Sequence, residues 1–467
     1  MAGMSEVHGA RLSGMDDNDP TRNLLAMLTP EKESRAAAGR VLARPSTSLA
    51  PRILILGGGF AGVTAALELA KRCTGVLPVH ITLLSAQNFF LFTPMLAEAA
   101  TGAVESRHVL YPIRPLCGKL GIEFGEMVVE AVDLDRRRVI ARHRRSEIRQ
   151  HVQYDKLVLA LGATPNVAMA PGAAEHALTF KGAGDAVRIR NRVIDLFEAA
   201  ALTDDPWARK RLLTFVVVGA GHAGTELMAA LEELTRGILL RHYPSLPRDV
   251  VRLVLVGSAV LPQTATNLAA YARDQLLARG IELETNRAAK VSTEGLELQD
   301  GRLIPSNCVI WTAGNRVSPV ITDLPLAKTR DGRLPVNEFF EVKDAPGVYA
   351  LGDNASQTDP HTGAPYVATA QVALRQARAL ARQIEAELTG RERKPFRFKL
   401  LGEMVPLSRR TAVADLRGVK LLGFPAWFIW KTVYMLKLPT VAARVRVVLD
   451  WTVELFFERD VSELTVD

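Results

Sequence analysis

The chain has 467 residues, 48% of them hydrophobic, which is more than one compact core holds and points to two or three globular domains. Lys and Arg total 58 against 50 Asp and Glu, a formal charge of +8 that by itself does not choose among nucleic acid, an anionic membrane and soluble anions. Three cysteines (Cys73, Cys117 and Cys308) exclude a disulfide framework, and without a CxxC pair they also exclude the common zinc and dithiol motifs.

Residues 1–50 mix six acids with six bases, lack an apolar run, and read as a disordered extension rather than a targeting peptide. Strand signals begin at Arg52–Leu56, followed by the turn Gly57-Gly58-Gly59-Phe60-Ala61-Gly62, a helix over Val63–Arg72 and a strand over Val79–Leu84. The long charge-free stretch Thr74–Ala97 contains Pro78 and Pro94, so it is not a membrane-crossing helix. Lys156–Leu161 reads as a buried strand entering a turn at Gly162. The first pattern then recurs, with strand Leu212–Val218, turn Gly219-Ala220-Gly221-His222-Ala223-Gly224, helix Thr225–Leu240 and strand Arg252–Val256. Two further buried strands end in glycine turns, Val309–Gly314 and Val348–Gly352 with Asp353, and a helix is predicted over Thr369–Leu388.

Strand, GxGxxG turn and helix form the βαβ unit that binds dinucleotides, and it occurs twice. The first glycine permits a tight turn, the second admits the pyrophosphate, and the third lets helix approach strand; the phosphates then meet the helix N-terminus. Such units usually carry an acid at the end of the second strand for the ribose hydroxyls. Here those strands end in Ser85 and in Gly257-Ser258, so the second site does not repel a 2′-phosphate. No Lys or Arg follows Gly257 until Arg273, so nothing nearby in sequence attracts one either.

Between Leu416 and Leu449 there are six bases and no acid, interleaved with Phe424, Trp427, Phe428, Trp430, Tyr434 and Met435. That mixture suits an amphipathic helix in a lipid headgroup layer, with Pro425 in its first turn and Pro439 separating it from a second helix over Thr440–Phe457. The alternatives are a helical hairpin packed on the core and a homodimer interface. Nucleic acid is disfavoured, because no recognition motif accompanies the bases.

Two dinucleotide units and a strand ending in Gly352-Asp353 resemble the two-dinucleotide-binding-domain flavoproteins. Within that superfamily the chain is similar to type II NADH:quinone oxidoreductases. The likeness is carried by Asn88–Leu96, Ala100-Thr101-Gly102, Gly224-Thr225-Glu226, Thr369-Ala370-Gln371 and Gly402–Val413. It implies an α/β fold of two Rossmann-like domains, the second inserted into the first, plus a C-terminal amphipathic helical membrane-anchoring region. The corresponding division is 51–195 and 318–393 for FAD, 196–317 for NAD(P)H, and 394–467 for membrane association.

The activity so implied moves reducing equivalents from NADH, or NADPH, through FAD to a quinone without pumping protons. The enzyme would be peripheral, on the cytoplasmic face of the cell membrane, touching an anionic surface through Leu416–Phe457. Implied cofactor positions are Gly57, Gly59, Phe60, Ala61, Gly62, Ser85, Ala160, Gly162, Gly219, Gly221, Gly224, Gly314, Gly352, Asp353, Ala370 and Gln371, with no metal. Glu226 is implied to relay a proton, although from the residues alone it is equally a first-turn carboxylate favoured by the helix dipole. Gln371 is implied to lie by the flavin. Arg375 stands where the family usually has a second glutamine, which predicts an altered acceptor. Two rival readings are the same scaffold with NADPH and another acceptor, and a flavin-binding membrane partner or sensor with little turnover.

Overall fold

The computed structural model describes residues 50–73 and 77–464; the expected N-terminal extension, Ala50 apart, lies outside them. The chain enters a sheet through β1 (Arg52–Leu56), crosses by helix α1 (Phe60–Cys73) and returns as β2 (His80–Ser85). It continues with helix α2 (Leu96–Ala100), then β3 (Glu123–Asp133), β4 (Arg138–His143), β5 (Arg149–Gln153) and β6 (Lys156–Leu159). A second sheet takes β7 (Leu178–Thr179), helix α3 (Ala183–Leu202), β8 (Thr214–Val218), helix α4 (His222–Glu232), β9 (Arg252–Val256), β10 (Glu282–Glu284) and β11 (Cys308–Trp311). The chain then returns to the first sheet as β12 (Val348–Ala350) and helix α5 (Ala370–Leu388).

The first sheet has the order β12-β6-β1-β2-β3-β4-β5, and the second β7-β11-β8-β9-β10. Parallel register sets Ile53 opposite Ile81 and Lys156, and Phe215 opposite Leu253 and Cys308. Ile53–Leu56 and Thr214–Val218 are buried on both faces, as unbroken apolar runs in parallel sheets should be. Ala65, Ala66 and Leu69 of α1 pack in one core with Val372, Ala377 and Leu380 of α5. Because the second sheet lies between β6 and β12 in sequence, it is an insertion in the first. It begins at Leu178, and α3 runs unbroken across the boundary expected between residues 195 and 196. Apolar positions Ala186, Ile189, Val193 and Phe197 share one face of α3, and that continuous stripe holds the helix together. The helix expected to end at Leu240 is α-helical to Glu232 and π-helical over Glu233–Leu239.

The C-terminal region contains more than helices. An antiparallel meander, β13 (Gly402–Ser408), β14 (Thr411–Leu416) and β15 (Val419–Leu422), precedes α6 (Gly423–Lys437) and α7 (Val441–Phe456). Leu438, Ala443 and Val447 of this hairpin join the core around α1 and α5. Trp430 is 1% exposed, so the tryptophans are not simply interfacial side chains. The residues that face outward are Phe424 (54%), Phe428 (57%) and Leu436 (56%), along with Val441, Val445 and Leu449. Among the described residues no helix is long and apolar enough to cross a membrane.

Candidate functional site

Both glycine turns open onto one continuous cavity of about 3650 Å³, several times the volume that holds a single small ligand. Gly57 has φ +114°, and a Cβ there would stand 2.1 Å from Ala160 O; at Gly62 it would stand 1.9 Å from Gly57 O. Gly59, by contrast, has nothing within 4 Å. The second turn repeats this, with φ +114° at Gly219, 1.8 Å from a Gly224 Cβ to Gly219 O, and open space at Gly221. In each turn the outer glycines are sterically required, while the middle one leaves bare backbone beside a helix N-terminus. That is a cradle for a pyrophosphate. The Thr312 hydroxyl, which sequence reading missed, lies 2.9 Å from Val218 O and 3.0 Å from Gly219 O and closes the second turn.

The remaining expected positions gather around these turns. Phe60, Ala61, Ser85, Ala160, Gly162, Gly314, Gly352, Asp353, Ala370 and Gln371 all line the cavity. Ser85 Oγ accepts from Gln87 N at 3.2 Å, and a Cβ on Gly58 would meet that oxygen at 2.3 Å. Asn354 Nδ2 donates to Gly162 O at 2.7 Å, tying the Gly352-Asp353 segment to the first turn region. Asp353 lies 3.9 Å from Lys181 Nζ.

Helix α5 starts at its cap Thr369, whose hydroxyl accepts from Val372 N at 3.3 Å. The Gln371 carboxamide is engaged by backbone: Nε2 donates to Gly402 O at 3.1 Å, and Oε1 accepts from Leu401 N at 2.8 Å. Gln376, which the sequence reading passed over, is buried; its Oε1 accepts from Gly352 N at 2.9 Å. Arg375 is exposed at the cavity rim, 5.5 Å over the Phe398 ring. Burial, and then the Arg375 charge, hold Lys437 below the usual lysine range.

A polar cluster forms where α2, α4, β13 and α6 meet. Glu226 lines the cavity, and burial pushes its carboxyl up to about 8; the nearby Glu98 charge adds to this and His222 opposes it. One helical turn earlier, burial opposes protonation of His222. The bond to Glu403 and the charges of Glu226 and Glu403 outweigh it, so His222 lies above its ordinary range. His222 Nε2 is 3.1 Å from Glu403 Oε2, which also accepts from Thr264 Oγ1 at 3.0 Å. Burial raises Glu403, yet the bonds from His222 and Thr264 bring it below the usual carboxylate range. Glu98 Oε1 pairs with Lys431 Nζ at 2.6 Å, with side chains only 17% and 12% exposed. That ammonium also lies 3.9 Å from the Trp451 ring centroid. Sequence reading gave a role at this site to Glu226 alone. His222 stood inside the second glycine motif, Glu403 inside the Gly402–Val413 stretch and Lys431 among the six C-terminal bases, while no signal singled out Glu98.

Comparisons with known proteins bear on the family and the fold. Residues 51–377 match the family model described as pyridine nucleotide-disulphide oxidoreductase, and residues 402–460 match the NDH2 C-terminal domain. Demethylphylloquinone reductase NdbB of Synechocystis sp. is 31% identical, over 87% of this chain and 96% of the relative. Type II NADH:quinone oxidoreductase Ndh of Mycobacterium tuberculosis is also 31% identical, over 89% and 90%. Among solved structures, NDH2 from Plasmodium falciparum in complex with NADH superimposes with a TM-score of 0.81 over 88% of this chain and 99% of that one. At 19% identity that likeness speaks for the fold.

Proposed function

Because the chain belongs to the pyridine nucleotide-disulphide oxidoreductase family and carries an NDH2 C-terminal domain, we propose that it is a flavin-dependent NAD(P)H:quinone oxidoreductase bound peripherally to a membrane. The observation that carries this reading is the meeting of two pyrophosphate cradles and a half-buried carboxyl, Glu226, in one cavity. The first cradle, with Ser85 and the Gly352-Asp353 segment, fits FAD: bare backbone at Gly59 faces open space, and the Gln376 carboxamide, accepting from Gly352 N, fixes Gly352. The second cradle takes the nicotinamide nucleotide. When bound, FAD supplies the two-electron chemistry that side chains lack.

The protein's own task is position and protons. Oxidising NAD(P)H releases a hydride, one proton short of what a quinol requires. Glu226 holds a proton at neutral pH, because ionising inside the cavity is unfavourable, so it is suited to donate that proton. His222 stands one turn before it on the same helix face, bonded to Glu403 and partly exposed, and it can restore the proton from water. Gln371 holds the Leu401-Gly402 backbone against the start of α5 and so fixes one cavity wall. Arg375 and Lys437 put positive charge at the rim, where it attracts the electron-rich oxygens of an acceptor.

Membrane contact is assigned to the outward apolar face of α6 and α7, with Arg417, Lys420, Arg444 and Arg446 as basic flanks. The side is the cytoplasmic one, where the nicotinamide pool lies. A lipid-soluble quinone then enters from the bilayer beside Lys437 and Leu436.

Anaerobic mixing of the purified yellow protein with NADH or NADPH should bleach the flavin, and a quinone should restore its colour. A flavin that neither nicotinamide bleaches would instead support a binding partner or sensor with little turnover.

A further inference from the structure

Strands β9 and β10 are parallel neighbours, with Val256 opposite Glu284 and Gly257 N donating to Glu284 O at 2.8 Å. Their carboxyl ends therefore emerge together beside the second glycine turn. A Cβ at Gly257 would stand 2.6 Å from Ala220 Cβ and 2.9 Å from Ala220 N. The turn thus excludes any side chain at residue 257, and Ser258, which is exposed, is the first that can meet a bound ribose. Ser258, Gln263, Asn286, Arg287 and Gln299 all line the cavity, and none of these five is a carboxylate.

The carboxylates close by in sequence are already engaged. Glu284 Oε1 accepts from Asn286 N at 2.8 Å, and Oε2 lies 2.8 Å from Arg302. Asp300 takes Arg302 Nε at 2.7 Å and Asn286 Nδ2 at 2.6 Å. Arg302 is thereby neutralised from two sides. Arg287 is exposed, lines the cavity and, among the described residues, forms no ion pair. It lies 29 positions after Ser258 in sequence, and adjacent strand ends bring the two to the same end of the cavity.

We propose that Ser258 and Arg287 hold the 2′-phosphate of NADPH, so that this chain oxidises NADPH at least as readily as NADH. The inference rests on the reading of the second cradle as the nicotinamide site and names its substrate. A strand-end acid would accept the ribose hydroxyls of NADH and repel a phosphate dianion. A serine hydroxyl serves either group, and a guanidinium fork matches phosphate oxygens bidentately.

The test uses the holoprotein. Anaerobic flavin bleaching should give a kcat/KM for NADPH equal to or above that for NADH. Arg287→Gln should raise the half-saturating NADPH concentration about tenfold or more and leave NADH unchanged. Ser258→Glu should lower the ratio of kcat/KM for NADPH to that for NADH at least about tenfold. Calorimetric titration, which needs no turnover, should show adenosine 2′,5′-bisphosphate binding more tightly than adenosine 5′-monophosphate, with the difference lost in Arg287→Gln. The proposal is overturned if wild-type protein prefers NADH by more than tenfold, or if Arg287→Gln weakens both nicotinamides equally. Should neither nicotinamide bleach the flavin, the oxidoreductase reading falls, and the titration alone decides the phosphate site.

Discussion

At Glu226 a carboxyl with an ordinary value of 4.5 is pushed up to about 8, with burial as the largest cause. Between those values the folded chain keeps a proton that the unfolded chain releases. Stability is therefore fully present below pH 4.5 and declines as pH rises toward about 8. Glu226→Gln, which carries no charge at any pH, should match wild type near pH 4.5 and exceed it above pH 8. The gain is on the order of a few kcal/mol. Thermal unfolding from pH 5 to 9 measures this, and parallel curves for the two proteins would refute it. The same variant should slow quinone reduction about a hundredfold or more, because a positioned acid is lost. His222 shows the opposite balance on one helix face: there the neighbouring carboxylates outweigh burial and favour the charged form.

At the scale of elements, ion pairs as well as apolar packing fix the C-terminal hairpin to the rest of the molecule. Lys431 of α6 reaches Glu98 of α2, and His108 Nδ1 lies 2.6 Å from Asp450 Oδ2 of α7. The ammonium is enclosed by Trp427, Trp430 and Trp451, at 5.6, 5.8 and 3.9 Å from the ring centroids. A half-pair left in such a place is an uncompensated charge, so Lys431→Met should destabilise the fold by about 3–5 kcal/mol. Adding Glu98→Gln should recover much of that loss, and Lys437→Met, at the exposed rim, should have little effect. Denaturant unfolding of the three proteins distinguishes the cases. If the double variant is no more stable than Lys431→Met alone, the pair is not what holds α6 in place.

For the whole molecule, the basic excess divides between two uses. Lys431 serves the interior, whereas Arg417, Lys420 and Arg446 remain toward solvent around the outward face of α6 and α7. Burying Phe424, Phe428 and Leu436 in a bilayer contributes roughly 1.5–3 kcal/mol per side chain. Replacing all three with serine should therefore release the protein from anionic phospholipid vesicles in a flotation assay, with an unchanged unfolding temperature. Removing everything after Leu416 is a poorer test, since Trp430, Leu438 and Val447 belong to the core. If the triple variant still floats with vesicles but sediments as a smaller particle, the face joins two copies of the chain instead.

The sequence by itself determined the two βαβ units and their order, whereas the insertion of one sheet in the other was expected only from the family resemblance. Glycine spacing and unbroken apolar runs are local properties, fixed by steric limits on turns such as Gly57 and Gly219. It also put Pro425 in the first turn of α6, while a role for Glu226 followed only from the resemblance. It did not reveal Glu98 beside Glu226, Lys431 beside Glu98, or Arg287 at the same cavity end as Ser258, nor the burial of Trp430. Those pairs are tens to hundreds of residues apart. Charge and desolvation act through space, so only the packing of parallel strand ends and of the C-terminal hairpin decided which bases face solvent, which are neutralised, and which can meet a phosphate.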